Sequence, residues 1–325
     1  MIIRTIGIVG GTGFVGSRLA NELTRSGYRL RVLTRRRERN KHLLVMPTLE
    51  LIEADVHDPA VLGAHFAGCD AVVNLAGILN EDGDDGRGFQ VAHVELAHKV
   101  VGACRSLGIG RLLHMSALNA DPAGPSHYLR SKGEAEALVR AAASDTLAVT
   151  IIRPSVIFGP ADQFYNRFAT LLMLAPGLFP LARAQARFAP VYVGDVARAM
   201  ALALTDPQSY GLAYDLCGPS VYTLGDIVSY TARLLDLRRV IVPLPDWAGR
   251  LQARLLEFAP GKPFSRDNFR SLGLDSVCTG AAGLARLGIV PTPVEAIVPG
   301  YIHREHRGGR YGGLRRLTGR RAPTM

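Results

Sequence analysis

The chain has 325 residues, 48% of them hydrophobic and 20% charged, long enough to bury a substantial core in one large domain or two smaller ones. Its formal net charge is +10, but the excess lies in two segments, RRRERNK at 35–41 and the Arg- and Gly-rich stretch 302–325. The neutral remainder has no character of a nucleic-acid platform, so nucleic acid is not an expected partner.

An apolar run at 5–9 predicts the first strand, and it leads directly into Gly10-Gly11-Thr12-Gly13-Phe14-Val15-Gly16 and a helical pattern over 14–26. Strand-like runs recur near 29–34, 49–53, 70–76, 110–115 and 147–153, separated by helix-like stretches at 59–66, 88–107 and 126–143. Strands apolar on both faces, alternating with helices, predict an α/β fold: a doubly wound parallel sheet of Rossmann type with its ligand at the carboxyl ends of the strands. After Arg153 the alternation breaks down. Residues 159–190 are rich in Pro and Gly, 191–196 reads as a strand entering a helix, 213–218 as one more strand and 224–236 as a helix. A Pro-rich turn at 243–245 precedes a helix over 246–258 with Leu251, Leu255 and Phe258 on one side. That side is expected to pack on the neighbouring elements, the alternative being a membrane surface or a protein partner. The organisation expected is a nucleotide-binding unit of 1–158 with 189–218, a smaller C-terminal α+β substrate lid of 159–188 with 219–301, and a disordered basic tail of 302–325.

The longest apolar stretch, 168–182, is cut by Pro176, Gly177 and Pro180, so no transmembrane helix is predicted. Met1 runs straight into the first strand without a cleavable leader. Cytoplasmic residence follows as the expectation, either free or on the inner face of a membrane. Cys69, Cys104, Cys217 and Cys278 are far apart and form no CxxC pair, which reads as buried thiols of a reducing compartment and not as a disulfide framework. No HExxH is present and no metal is expected.

A strand, a glycine turn and a helix in that order make a phosphate site, because the glycines admit a pyrophosphate close to the backbone and the helix start presents unpaired N–H groups. The spacing Gly10-x-x-Gly13-x-x-Gly16 is one residue wider at the front than the G-x-G-x-x-G fingerprint. The second constellation is Tyr128 and Lys132, four apart and so on one face of the predicted helix. A free phenol titrates at about 10, too high for acid–base work at neutral pH, and a neighbouring ammonium lowers that value. Either motif alone also suits an ordinary turn or a surface helix. Following one another at this distance, they point to dinucleotide chemistry.

With ADVHD (54–58), NLAG (74–77), SAL (116–118), RPSVIFGP (153–160) and VYVGDVA (191–197), these motifs resemble the short-chain dehydrogenase/reductase superfamily in its extended and atypical, epimerase/dehydratase-like branches, over roughly residues 3–300. Within it, MSALNADPAGPSHYLRSKGEAE looks like the group of the NADPH-binding accessory subunit of respiratory complex I, which includes relatives connected with coenzyme Q (ubiquinone) biosynthesis. The resemblance implies that Gly10, Gly13 and Gly16, with Thr12, Phe14 and Val15, hold the pyrophosphate. Asp55 and Val56 would flank the adenine, and the backbone of Leu75, Ala76 and Gly77 would line the groove. Tyr128 would be the acid–base residue, Lys132 would bind the nicotinamide ribose and tune it, and Pro154 to Ile157 would pass beside the nicotinamide. Ser116 is the third catalytic candidate. At the end of the second strand, Leu33-Thr34-Arg35-Arg36 has no acid to grip a ribose 2′-hydroxyl, and Arg35 with Arg36 can pair with a 2′-phosphate. NADP(H) is therefore expected over NAD(H).

Two departures bear on turnover. Many extended members carry Ser or Thr two residues beyond the position of Ser116, where this chain has Leu118, and His93 stands where many have an Asn that supports a proton relay. The first reading is hydride transfer between NADP(H) and a carbonyl or alcohol carbon, or the related sugar-nucleotide epimerase or dehydratase chemistry. Phe164, Phe168, Leu171, Leu172, Leu174, Leu178 and Phe179 suggest an apolar, quinone- or lipid-like substrate, and read equally well as core. The second reading is a non-catalytic assembly factor that holds its nucleotide structurally and contacts a membrane or a protein complex through the basic tail.

Overall fold

Short apolar runs punctuated by Gly and Asp become strands β1 (Thr5–Val9), β2 (Arg29–Thr34), β3 (Leu49–Glu53), β4 (Ala71–Asn74), β5 (Arg111–Met115) and β6 (Ala148–Pro154) of the computed structural model, which describes residues 2–280 and 283–302. The intervening helices are α1 (Phe14–Arg25), α2 (Pro59–Phe66), α3 (Arg87–Phe89), α4 (Leu96–Ser106) and α5 (His127–Ala141), with a π-helical turn, Gln90–Glu95, between α3 and α4. Then follow β7 (Ile157–Phe158), α6 (Tyr165–Leu174), β8 (Leu178–Ala182), β9 (Arg187–Phe188), β10 (Val191–Tyr192), α7 (Val193–Thr205), β11 (Ala213–Leu216), β12 (Tyr222–Thr223), α8 (Leu224–Leu234), β13 (Val240–Leu244), α9 (Asp246–Leu256), α10 (Arg266–Ser271) and α11 (Gly283–Arg286). The expected basic tail, beyond Ile302, lies outside the described residues.

Seven of these strands form one all-parallel sheet in the order β11-β6-β5-β4-β1-β2-β3. The order reverses direction at β1 and β4, so a crevice opens at their carboxyl ends, which is where a doubly wound fold binds its ligand. One face is covered by α1 and α7 around Ile6, Ile8, Leu19 and Met200, and the other by α2, α4 and α5 around Phe66, Val72, Val100 and Val139. Under the sheet, Arg111 is fully buried without a carboxylate. Its guanidinium donates to the carbonyls of Ala148, Ala203 and Leu204 and to the hydroxyls of Thr150 and Ser209, and stacks on Tyr210.

A third core, with Tyr165, Leu172, Phe188, Leu224 and Val298 among its members, joins α6, α8 and the helical residues 294–302. The apolar run singled out in the sequence mostly belongs here: Phe164, Phe168 and Leu171 pack against this core, Leu172 and Phe179 are buried in it, and Leu174 and Leu178 face outward. Two elements correct the sequence reading. Residues 243–245 are not a turn throughout, since Pro243 lies inside β13, which pairs only with β8 and so has a free edge where a missing N–H costs nothing. The run at 191–196 is a two-residue strand, and α7 begins already at Val193.

The cysteines require a larger correction. Cys217, just after β11, is disulfide-bonded to Cys278, 61 residues later, while Cys69 and Cys104 are buried free thiols. The pairing arises because residues 275–278 run back along β9, where Ser276 bridges Phe188 and donates its N–H to Arg187, bringing Cys278 beside the end of the sheet. The bridge packs with Leu118 and Ala189.

Candidate functional site

The turn after β1 is shaped by its glycines. Gly10 has φ +75°, and a Cβ there would lie 2.9 Å from the Ala76 nitrogen, so the turn and the segment after β4 touch backbone to backbone. A Cβ on Gly16 would run into the Gly10 carbonyl and the Gly11 backbone. Gly13 donates its N–H to the Gly10 carbonyl at 3.1 Å and caps α1 with no side chain of its own, leaving the helix start open. Such a start, with backbone N–H groups and the helix dipole behind it, fits a pyrophosphate. Thr12, Phe14 and Val15 surround it, half-buried.

Around this turn the other expected cofactor residues come together at strand ends. Leu75 follows β4 and donates its N–H to Val9, and Ala76 donates to the Asn74 side chain. Asp55 is exposed, with one carboxylate oxygen accepting the His57 N–H, and Val56 is half-buried on the core. Pro154 ends β6 and accepts the Leu118 N–H, while Ile157 packs on the core beneath the turn. Arg35 and Arg36 are exposed beyond β2, and neither guanidinium has a partner among the described residues. The nearest acid in register, Glu53, accepts the Arg37 N–H.

Tyr128 and Lys132 share the face of α5 that meets these elements. Lys132 is buried, donates to the Met115 carbonyl at 3.1 Å, and its Nζ lies 3.1 Å from where a Cβ on Gly77 would sit. Tyr128 is half-buried, its ring edge-on to Phe89 and His93. The expected lowering of the phenol by the ammonium is not seen: desolvation pushes Tyr128 up to about 12 and Lys132 down to about 8. Burial alone sets both shifts, and the Lys132 ammonium is bonded to the Met115 carbonyl.

His93, in the π-helical turn, accepts the Ile78 N–H at Nε2 and donates from Nδ1 to Ser131 Oγ at 2.8 Å, the tautomer being assigned from these partners. Ser131 in turn donates to the Tyr128 carbonyl. The imidazole thus ties the loop after β4 to α5, and burial, with the Lys132 charge, drops its pKa to about 2. Ser116 Oγ is buried, finds no hydrogen-bond partner of full geometry among the described residues, and stands near enough to the Glu136 carboxylate to lower its pKa. Burial raises the Glu136 pKa, but the Arg153 and Arg140 guanidinium groups, with Ser116, outweigh it. Ala117 and Leu118, next along, are apolar and buried.

Sequence reasoning missed Asp267. Its carboxylate, on α10, accepts the backbone N–H groups of His127 at 2.7 Å and Tyr128 at 3.1 Å, while Ser126 caps α5 at Leu129. Beside it Arg270 grips Asp84 through two bonds of 2.7 and 2.8 Å, fastening the loop after β4 to α10. Asp84, His127 and Asp267 are close enough to suggest a cation site, but Arg270 and Arg266 already neutralise the acids and Arg130 donates to His127 Nδ1. Only the capping signature Ser265-x-x-Asn268 was legible there, and it does not name a partner.

The sequence model of the NAD dependent epimerase/dehydratase family matches residues 6–217. The chain is 30% identical over 300 residues to subunit 9 of the NADH dehydrogenase [ubiquinone] 1 alpha subcomplex, mitochondrial, of Rattus norvegicus, covering 89% of this chain and 77% of that one. It is 27% identical over 241 residues to a ceramide reductase of Caulobacter vibrioides, covering 74% of each. Among solved structures it resembles MoeE5 in complex with UDP-glucose and NAD, with a TM-score of 0.73 and 19% identity over 94% of this chain and 99% of that one. It also resembles UDP-glucose 4-epimerase of Thermotoga maritima with UDP-glucose, with a TM-score of 0.72 and 16% identity over the same shares. These two likenesses establish the fold alone.

Proposed function

The chain belongs to the NAD dependent epimerase/dehydratase family, and on that premise we propose that it is an NADP(H)-dependent oxidoreductase acting on a carbonyl or alcohol carbon of an apolar, quinone- or lipid-like substrate. The observation that carries the reading is the approach of Lys132 Nζ to Gly77, one helical turn from Tyr128, which brings the acid–base helix and the cofactor loop to one point. Gly10, Gly13 and Gly16, with Thr12, Phe14 and Val15, hold the pyrophosphate; Asp55 and Val56 take the adenine, and Lys132 the nicotinamide ribose. Arg35 and Arg36, exposed and uncommitted, take the 2′-phosphate. The bound nicotinamide supplies or accepts the hydride. Tyr128, its phenol raised by desolvation, would give its proton to the carbonyl oxygen in the reductive direction and take it back in the oxidative one. The unit of 1–158 with 189–218 carries the nucleotide, and 159–188 with 219–301 covers the substrate. The apolar substrate class is supported by the ceramide reductase among the relatives.

A second reading is favoured by Ser116. Its Oγ is buried without a hydrogen-bond partner of full geometry among the described residues, and the next two side chains, Ala117 and Leu118, are apolar and buried, which favours a site with no second group to polarise a substrate oxygen. In that case the nucleotide braces a protein that works in a complex, as the relatives named as respiratory subunits do. One experiment separates the two. The nucleotide that co-purifies is identified, and NADPH fluorescence is followed with quinones, long-chain ketones and 3-keto lipids, using Tyr128→Phe as control. Oxidation of NADPH that the Tyr128→Phe variant loses supports the enzyme. Tightly held NADPH that no substrate oxidises supports the bracing role.

A further inference from the structure

Most of the large apolar side chains of α9 face away from the protein. Its fully buried residues are Gly249 and Ala253, with Gln252 bonded to the β8 backbone and Leu256 half-buried, and a Cβ on Gly249 would stand 2.8 Å from the Phe269 ring. Trp247, Leu251 and Leu255, on one side of the helix, and Phe258, in the turn just after it, are 72%, 50%, 64% and 82% exposed. This reverses the expectation that Leu251, Leu255 and Phe258 pack inward. The strand pair that α9 packs on continues the surface, since Leu178 and Val240, directly paired across β8 and β13, are also exposed.

The charges on this helix are one-sided. Arg250 and Arg254 are exposed along the edge of the apolar stripe and have no partner among the described residues. The acids near it are paired, Asp246 with Arg183, the buried Glu257 with Arg266, and the exposed Asp82, beside Phe258, with Lys262. We propose that this face docks on the surface of an anionic lipid bilayer, with α9 lying in the interfacial plane. Trp, Phe and Leu on one face with arginines beside them is the composition of an interfacial helix, in which the apolar groups enter the acyl boundary and the guanidinium groups reach the headgroups. A protein partner fits less well, because protein interfaces deplete charge at their centres whereas Arg254 stands almost within the stripe. Phe258 also lines a cleft with Asn80, Glu81 and Asp82, on the loop that follows β4, so docking brings the bilayer to the mouth of that cleft. The docking claim stands independently of the hydride chemistry.

Trp247 is the single tryptophan of the chain and reports on its own environment. The full-length protein is mixed with vesicles of phosphatidylcholine and phosphatidylglycerol, with brominated phosphatidylcholine as quencher. Co-sedimentation, a blue-shifted emission and quenching are expected. Leu255→Glu/Phe258→Glu weakens partitioning about tenfold or more. Arg250→Glu/Arg254→Glu weakens it by about fivefold per arginine on anionic vesicles and leaves pure phosphatidylcholine unaffected. Circular dichroism and the urea midpoint, unchanged in these exposed variants, exclude misfolding. Three results overturn the proposal: a wild-type protein that ignores anionic vesicles, which assigns the face to a protein partner; binding with unchanged Trp247 emission, which assigns the contact to another segment; or a Leu255→Glu/Phe258→Glu variant that binds as tightly as wild type.

Discussion

Mild acid unfolds this protein more steeply than its carboxylates alone require. Two buried imidazoles stay neutral: His93 and, in β5 against the Asn74 amide, His114. Burial and the Lys132 charge hold them at about 2 and about 3, against the ordinary 6.5. Both folded values lie below the unfolded one, so the unfolded chain binds more protons, and the stability present above pH 6.5 is lost as pH falls towards 3. Each imidazole contributes up to about 1.4 kcal/mol per pH unit in that window, about 2.4 kcal/mol for the pair between pH 6 and 5, where the unfolded rings are not yet fully protonated. That is a large part of a typical stability of about 5–15 kcal/mol. Glu136 and Asp84, whose pKa values are lowered by their arginine partners against the pull of burial, add their own losses only at lower pH. Urea unfolding at half-unit steps from pH 7 to 5 measures the slope. In His93→Asn, where an amide can still accept the Ile78 N–H, the slope falls by about half. A wild-type slope near zero between pH 6 and 5, or a His93→Asn slope equal to wild type, refutes the reasoning.

Arg111→Lys removes the forked donors that serve four backbone carbonyls, that of Leu112 among them, and two hydroxyls under the sheet, and is expected to cost about 3 kcal/mol in urea unfolding at pH 7; a loss below about 1 kcal/mol would mean the carbonyls find other donors. Reducing the Cys217–Cys278 bridge, or replacing Cys278 by Ser, releases a 61-residue constraint that chain entropy values at about 4 kcal/mol, so the thermal midpoint should fall on adding dithiothreitol and stay put in Cys278→Ser. Gly16→Ala drives a methyl into the Gly10 carbonyl, so it should abolish nucleotide binding and lower the melting temperature together; retention of NADPH at wild-type affinity would contradict the backbone contact between them.

The nucleotide half of the molecule was legible because its signals are local. Each of the six strands to Pro154 is a short apolar run, and the helices at 14–26, 59–66, 88–107 and 126–143 each have their own period, so there the reading and the structure agree to within a residue or two; the short 3-10 helix Arg37–Val45, with little apolar periodicity in its basic sequence, was not read. The glycine turn, Tyr128 and Lys132 were likewise visible, since a turn and a helical repeat are set by neighbours in sequence. What failed depends on distance. Cys217 and Cys278 meet only because residue 276 bridges β9, and Asp267 caps α5 from 139 and 140 residues away. No spacing announces either contact. Tyr128 was expected to be acidified by Lys132, but how deeply each group is buried is set by packing that no spacing announces, and that burial raises the phenol and lowers the ammonium. The outward face of α9 was misread for a similar reason. Its pattern is amphipathic, and the small residues Gly249 and Ala253, not the leucines, turned out to be the packed side.

The account rests on a dinucleotide held at Gly10–Gly16 with its 2′-phosphate at Arg35, and calorimetric titration with NADPH and NADH tests this directly. The wild-type protein should bind NADPH more tightly than NADH. Arg35→Ala should weaken NADPH by roughly tenfold or more, as loss of a charge-assisted pair does, while leaving NADH nearly unchanged. Equal weakening of both nucleotides would remove Arg35 from the 2′-phosphate site, and no binding of either by the wild-type protein would contradict the account at its root.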